Sequence, residues 1–157
     1  MSSWKTFAAE APELAGSVHA RFAAHLHHVL ATIRRDGAPR VSGTEVKVHD
    51  GDIWLGSMSG ATKGADLRRD PRLALHSSPS DTDLDAGDAR LDGRATLVED
   101  PDTRARFAAT LEDPGVMDGA DLFLVDLDRA TLVRVRGDVL HVDTWQPGRP
   151  VTHVERV

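Results

Sequence analysis

The 157-residue chain contains no cysteine, which excludes a disulfide frame, a thiolate nucleophile and any cysteine-ligated metal centre. No apolar run approaches the roughly 20 residues that span a bilayer. The N-terminus also lacks the basic-then-apolar order of a secretory signal. A membrane partner is therefore not expected, and the cytoplasm is the default compartment. Lysine is scarce: Lys5, Lys47 and Lys63 are the only three. With 19 basic residues against 25 acidic ones the net charge is −6. That is the wrong sign for a nucleic-acid surface, whose binding is driven by phosphate neutralisation. The length suits one domain with a real core.

What is present is organised around Gly51 to His76, where a strand runs into a glycine-rich polar loop, a short helix and a proline-led strand. Ile53, Trp54 and Leu55 form the first apolar run, and Gly56-Ser57-Met58-Ser59-Gly60 breaks it. Thr62 and Lys63 then stand at the start of a helix carrying Ala65, Leu67 and Arg68. A helix N-terminus offers unpaired N–H groups and positive dipole, and flanking hydroxyls and an ammonium add donors. Such a corner suits a phosphate. Its spacing matches neither the Walker pattern, which needs Ser or Thr directly after the lysine, nor GxGxxG.

Taken in order, Ser3 to His28 reads as helical, with Ser3 as N-cap, Pro12 opening a second helix and Leu14, Val18, Phe22 and Leu26 on one stripe. Val29 to Ile33 reads as a strand. Asp36-Gly37 makes a hairpin turn, and Arg40 to Val48 returns with Arg40, Ser42, Thr44, Val46 and Val48 on one face. Asp50-Gly51 is a second such turn. Pro71 to His76 is a further strand, Ser77 to Gly87 an acidic exposed loop, and Ala89 to Leu97 a cleanly alternating strand. Asp100-Pro101 opens a helix that Asp113-Pro114-Gly115 ends. Leu122 to Leu127, Ala130 to Val135 and Val139 to Val142 are predicted as three closing strands, with turns at Asp126 to Arg129 and at Gly137-Asp138. The expected fold is mainly β: a six-to-eight-stranded antiparallel barrel with flanking helices, since closure removes exposed edges. One domain spans 1–157, with helices over 1–28, the barrel over 29–143 and an extended tail over 144–157.

The ordered set Leu30-Ala31-Thr32-Ile33-Arg34-x-Asp36-Gly37-x-Pro39-Arg40-Val41, Gly51-Asp52-Ile53-Trp54-Leu55 and Lys63-x-x-x-Leu67-Arg68-Arg69-Asp70-Pro71-Arg72 resembles the pyridoxamine 5′-phosphate oxidase-like superfamily of FMN-binding split barrels. The resemblance runs from the first helix to the Trp145-Gln146-Pro147-Gly148 tail. It is strongest to the actinobacterial branch of oxidoreductases that use FMN or the deazaflavin coenzyme F-420. It implies a homodimer with cofactor clefts at the interface and a small-molecule substrate. Lys63 and Thr62 would then hold the cofactor phosphate, and Ser57, Met58 and Ser59 would line the phosphate and ribityl chain. Arg40, Ser42 and Thr44 would approach the ring system, and Trp145 of a second copy would cover the site. The extended arginine-rich phosphate signature of the true vitamin B6 oxidases is missing, so oxidation of pyridoxamine phosphate is not implied. A common family pattern also places arginine two residues before the loop lysine. Ala61 stands there instead, which removes an expected phosphate partner of FMN and favours F-420.

Each functional reading has a plainer rival. Lys63 is a phosphate ligand or a solvated lysine, and the glycine flanks, the helix start and the resemblance favour the ligand. His25, His27 and His28 resemble a metal cluster, with His25 and His28 on one helix face, but no further ligand follows at a recognisable spacing, so a structural role is expected and no metal. Gly56-Ser57-Met58-Ser59-Gly60 is no nucleophile elbow, because Met58 holds the central position. Glu45 reads as a solvated or interface acid, Arg68 and Arg69 as surface-helix residues that could also reach a polyanionic cofactor tail, and Trp54 as core or dimer packing rather than cofactor stacking. No catalytic residue is expected, since redox chemistry would belong to the cofactor. Three functions follow: an F-420-dependent reductase, an FMN-dependent oxidoreductase, or a non-catalytic carrier of flavin, deazaflavin or haem.

Overall fold

In a computed structural model, which describes residues 2–79 and 84–157, the chain forms one continuous antiparallel sheet of nine strands, with helices at its flanks. Residues 80–83, part of the predicted acidic loop, lie outside the described residues. The helices α1 (Trp4–Glu10) and α2 (Pro12–Ala23) begin as expected: the Ser3 hydroxyl accepts the Thr6 N–H, and Pro12 opens α2. Leu14, Val18 and Phe22 are buried, but Leu26 is 64% exposed. The helical stripe stops short because α2 ends at Ala23 and β1 (His27–Ile33) follows directly.

β1 turns through Gly37, at φ 86°, into β2 (Pro39–Glu45). The predicted strand to Val48 is split: β3 (Lys47–His49) begins after a break at Val46 and pairs with β4 (Asp52–Ser57) through a turn with φ positive at both Asp50 and Gly51. That combination is the two-residue turn whose twist suits a hairpin. The helix α3 (Thr62–Arg69) leads to β5 (Arg72–His76) and β6 (Asp88–Leu97). α4 (Pro101–Ala108) starts on the Asp100 carboxylate, which accepts the Thr103 N–H at 2.7 Å.

Two of the predicted closing strands are one. β7 (Asp121–Arg136) continues through Asp126 to Arg129 instead of turning there, and its register with β6 skips Asp128 opposite Asp92 and Gly93. The extra residue makes a β-bulge, which bends a strand without ending it. Gly93 is needed at this point, because a Cβ there would stand 2.1 Å from the Asp126 carbonyl oxygen. The tail also differs from expectation. The predicted strand Val139 to Val142 runs on to Trp145 as β8 (Val139–Trp145), and β9 (Thr152–Arg156) pairs back on it in a terminal hairpin where an extended tail over 144–157 was predicted.

The strand order is β2-β1-β5-β6-β7-β4-β3, with β8 and β9 added beside β7. β2 and β3 occupy opposite ends of that row, yet they are joined through Val46 alone. The chain itself therefore closes the barrel, and β2 keeps a free edge at the split. Val18, Leu30, Ile53, Leu75, Leu91, Leu132 and Trp145 fill the interior. Each such side chain contributes about 1.5–3 kcal/mol on burial.

Candidate functional site

The corner predicted from the sequence forms where β4 gives way to α3. Met58 to Ala61 is a tight turn closed by the Ala61 N–H on the Met58 carbonyl at 3.0 Å, with Gly60 at φ 75°. A positive φ at the third turn position is what glycine supplies without strain. Ala61 is the N-cap of α3 and has no side-chain oxygen, so no side chain caps the first-turn amides. The Gly64 N–H is taken by the Ala61 carbonyl at 3.1 Å, so the amides of Thr62 and Lys63 are the ones left without a partner among the described residues at the mouth of the helix.

Ser57 ends β4 beneath that first turn. It is 3% exposed, and its hydroxyl has no hydrogen-bond partner among the described residues. A buried hydroxyl left unpaired costs about 1–3 kcal/mol. A Cβ on Gly64 would meet both Ser57 Oγ and Asp121 Oδ2 at 2.8 Å, so glycine at 64 is what lets α3 lie this close to the sheet.

Lys63 reaches sideways. Its Nζ donates to the Gly43 carbonyl at 2.9 Å, and β2 pairs only with β1, so the ammonium takes an acceptor that no strand uses. Burial lowers the Lys63 pKa from its ordinary value, and Glu45 nearby opposes that shift. A lysine held partly desolvated is a cation whose charge an incoming anion would stabilise.

The other half of α3 is fixed. Asp66, 3% exposed, accepts from Arg40 Nε at 2.6 Å, from Thr32 Oγ1 at 2.9 Å and from Arg69 at 3.2 Å. Burial alone would raise its pKa, but these hydrogen bonds prevail and hold it below the ordinary value. Arg69 also donates to the Ile33 carbonyl, and Arg68 pairs with Asp121 on β7. The helix is thus bolted to β1, β2 and β7.

The predicted residues divide accordingly. Ser57, Met58, Ser59, Thr62 and Lys63 come together, with Met58 and Ser59 exposed. Ser42 and Thr44 do share the Arg40 face, but Thr44 is 3% exposed and donates to the Glu45 carbonyl. Arg40 is committed to Asp66. Trp145 requires a correction: it is fully buried, packed 4.6 Å from the Phe7 ring, and its Nε1 donates to Glu10 at 2.9 Å. It cannot cover a site on another copy, because it fills this chain's own core. His28 is likewise a buried strand residue accepting the Ser78 N–H, and burial lowers its pKa. The shared helix face with His25 does not exist. Trp54 packs on Phe107 as expected. Sequence reading missed Asp66, whose signal was an acid placed among Leu67, Arg68 and Arg69 on an otherwise amphipathic turn. Two grooves of about 360 and 460 Å³ flank the β-bulge, and no residue of the Lys63 corner lines either.

Among the described residues, no helix is long and apolar enough to cross a membrane. A search of curated proteins finds no match. Among solved structures, an FMN-binding protein related to pyridoxamine 5′-phosphate oxidase from Nostoc punctiforme superposes with a TM-score of 0.67 at 12% identity, over 94% of this chain and 96% of that one. A haem-binding protein from Mycobacterium smegmatis gives 0.66 at 22% identity, over 85% of this chain and 58% of that one, so this chain spans about three fifths of it. A structure described as F-420 reductase gives 0.54 at 18% identity, over 67% of this chain and 88% of that one. These likenesses establish the split-barrel fold. The sequence profile of the family described as pyridoxamine 5′-phosphate oxidase matches residues 16–137, and the chain belongs to that family.

Proposed function

We propose that the protein is an oxidoreductase that binds a phosphate-bearing flavin or deazaflavin at the Lys63 corner, with F-420 as the preferred coenzyme. The observation that carries this reading is the conjunction at one helix N-terminus of an uncapped first turn, a buried unpaired Ser57 hydroxyl and a partly desolvated Lys63. All three are donors, and a phosphate accepts from all three. The residues present therefore fit the phosphate of such a group. Lys63, Thr62 and Ser57 would hold it, with first-turn amides adding to the cradle. Ala61 stands where the family pattern expects arginine, so the corner carries one positive charge fewer than that pattern implies, which favours F-420.

When bound, the deazaflavin supplies hydride chemistry. The chain's own contribution is position and electrostatics. The Asp66 cluster keeps α3 rigid, so that the first-turn donors are oriented before any ligand arrives. Val41 and Met58, 70% and 78% exposed, lie on the strand and loop that flank Lys63. They support pairing with a second copy that would wall the cleft, exclude water and contribute to binding of a small conjugated substrate.

The test is a parallel fluorescence titration of the full chain with F-420, FMN and haemin, followed by hydride transfer assays with the coenzyme that binds. Saturable F-420 binding and turnover with a conjugated acceptor support the proposal. Tight FMN binding alone moves the protein to the flavin-dependent reading, and binding without turnover makes it a carrier.

A further inference from the structure

The terminal hairpin carries a cluster independent of the Lys63 corner. β8 and β9 pair with His141 opposite Glu155 and Asp143 opposite His153. Residues alternate faces along a strand, so the patterns His141-x-Asp143 and His153-x-Glu155 place all four side chains on one face. Among the described residues, His141, His153 and Glu155 are the one group of three whose ligating atoms all lie within 4.8 Å of one another.

The geometry has a preferred occupant. His141 Nδ1 and His153 Nε2 each stand 3.3 Å from the same Glu155 oxygen, Oε1. Ligands at about 2.0–2.1 Å in a tetrahedral zinc site stand about 3.3 Å apart. Two edges of that tetrahedron are therefore already set, and the third, between the two imidazole nitrogens, is no longer than 4.8 Å. The orientation of His153 is fixed from behind. Its Nδ1 lies 2.6 Å from Asp143 Oδ1, while Arg134 engages the other carboxylate oxygen. A proton donated from Nδ1 to Asp143 leaves the Nε2 lone pair facing the Glu155 oxygen. At that 3.3 Å contact either a second ring proton or a cation must stand between the two acceptors, and a metal ion would take the place of the proton. A carboxylate behind a histidine in this manner orients metal-binding imidazoles and raises their basicity.

From this arrangement we propose that His141, His153 and Glu155 form a binding site for a divalent cation of the zinc, cobalt or nickel type, with Asp143 as the residue that positions His153. Two imidazoles and one carboxylate suit these ions better than magnesium or calcium, which take oxygen ligands. Three protein ligands leave a fourth position for water. β9 pairs with β8 alone, so the bound ion would clip the last strand to the sheet.

The test uses untagged, chelator-treated full chain titrated with Co²⁺ and Zn²⁺, by visible absorption and calorimetry. The proposal expects one ion per chain, the visible bands of low-coordinate Co²⁺ and a rise in unfolding temperature on saturation. His141→Ala and His153→Ala should abolish uptake, and Glu155→Gln should weaken it while leaving circular dichroism unchanged. Asp143→Asn should weaken affinity by roughly 10–100-fold. His27→Ala, in the N-terminal cluster, should leave uptake unaltered. Absence of saturable uptake would overturn the site and leave an imidazolium bridge between two carboxylates. Uptake that survives loss of both His141 and His153 would overturn it as well.

Discussion

The two ends of α3 are opposites. At Asp66 every acceptor is occupied: Arg40, Arg69 and Thr32 converge on one buried carboxylate. One turn earlier, the first-turn amides have no cap, Ser57 has no partner and Lys63 rests on a backbone carbonyl. A polar network that is satisfied serves stability, whereas unpaired donors beside an exposed loop are free to take a ligand. The same eight-residue helix thus carries both its anchor and the proposed binding end, and rigidity at one end gives orientation at the other.

Substitutions can break this contrast. Asp66→Ala should be the most damaging, costing about 3–5 kcal/mol, since it leaves Arg40 half-buried without its partner. A urea denaturation midpoint reads this loss. The same carboxylate sets an acid limb. Its folded pKa lies below the ordinary 3.8, so the unfolded chain takes up the proton first. Its stabilisation is therefore complete above the ordinary value and is lost as pH falls through the folded value. Asp66→Asn should flatten that part of a stability-against-pH curve. Gly64→Ala comes next, at about 1–3 kcal/mol, because the new methyl would press on Ser57 and Asp121; thermal melting measures it, and ligand affinity should fall as well. Trp145→Phe should cost about 1–2 kcal/mol through the lost bond to Glu10 and a smaller ring. Cofactor affinity, read by fluorescence, should not move, because Trp145 belongs to the core. Lys63→Ala should change the unfolding free energy, read from a denaturation curve, by less than about 0.5 kcal/mol. The anchor is costly to break and the Lys63 side chain is not.

Much of the frame was legible because local chemistry decides it. The Asp-Gly pairs at 36–37 and 50–51 both turn hairpins, and Ser3, Pro12 and Asp100 all start helices where their side chains dictate. The errors arose where distant packing overrides local pattern. Asp126 to Arg129 is polar enough to read as a turn, yet Leu127 is 2% exposed and Gly93 across the sheet admits the bulge. Leu26 continues a helical stripe in sequence, but the buried His28 and Leu30 commit the chain to β1 two residues later. Trp145 sits beside a turn-rich polar stretch that gives no hint of Phe7 and Glu10, which lie some 135 residues away in sequence. At the site, the loop and lysine were readable from glycine, hydroxyl and helix-start chemistry. The bond from Lys63 to β2 was not, since only the split in the barrel leaves the Gly43 carbonyl free.

The most direct test of the central claim is the affinity of F-420 for the wild-type chain and for Lys63→Ala, measured by fluorescence on proteins whose denaturation midpoints agree. The account predicts a loss of about 1.5–3 kcal/mol, roughly 10–150-fold, for one charge-assisted contact to phosphate. Equal affinity in the two proteins would contradict it and remove the α3 N-terminus from the site.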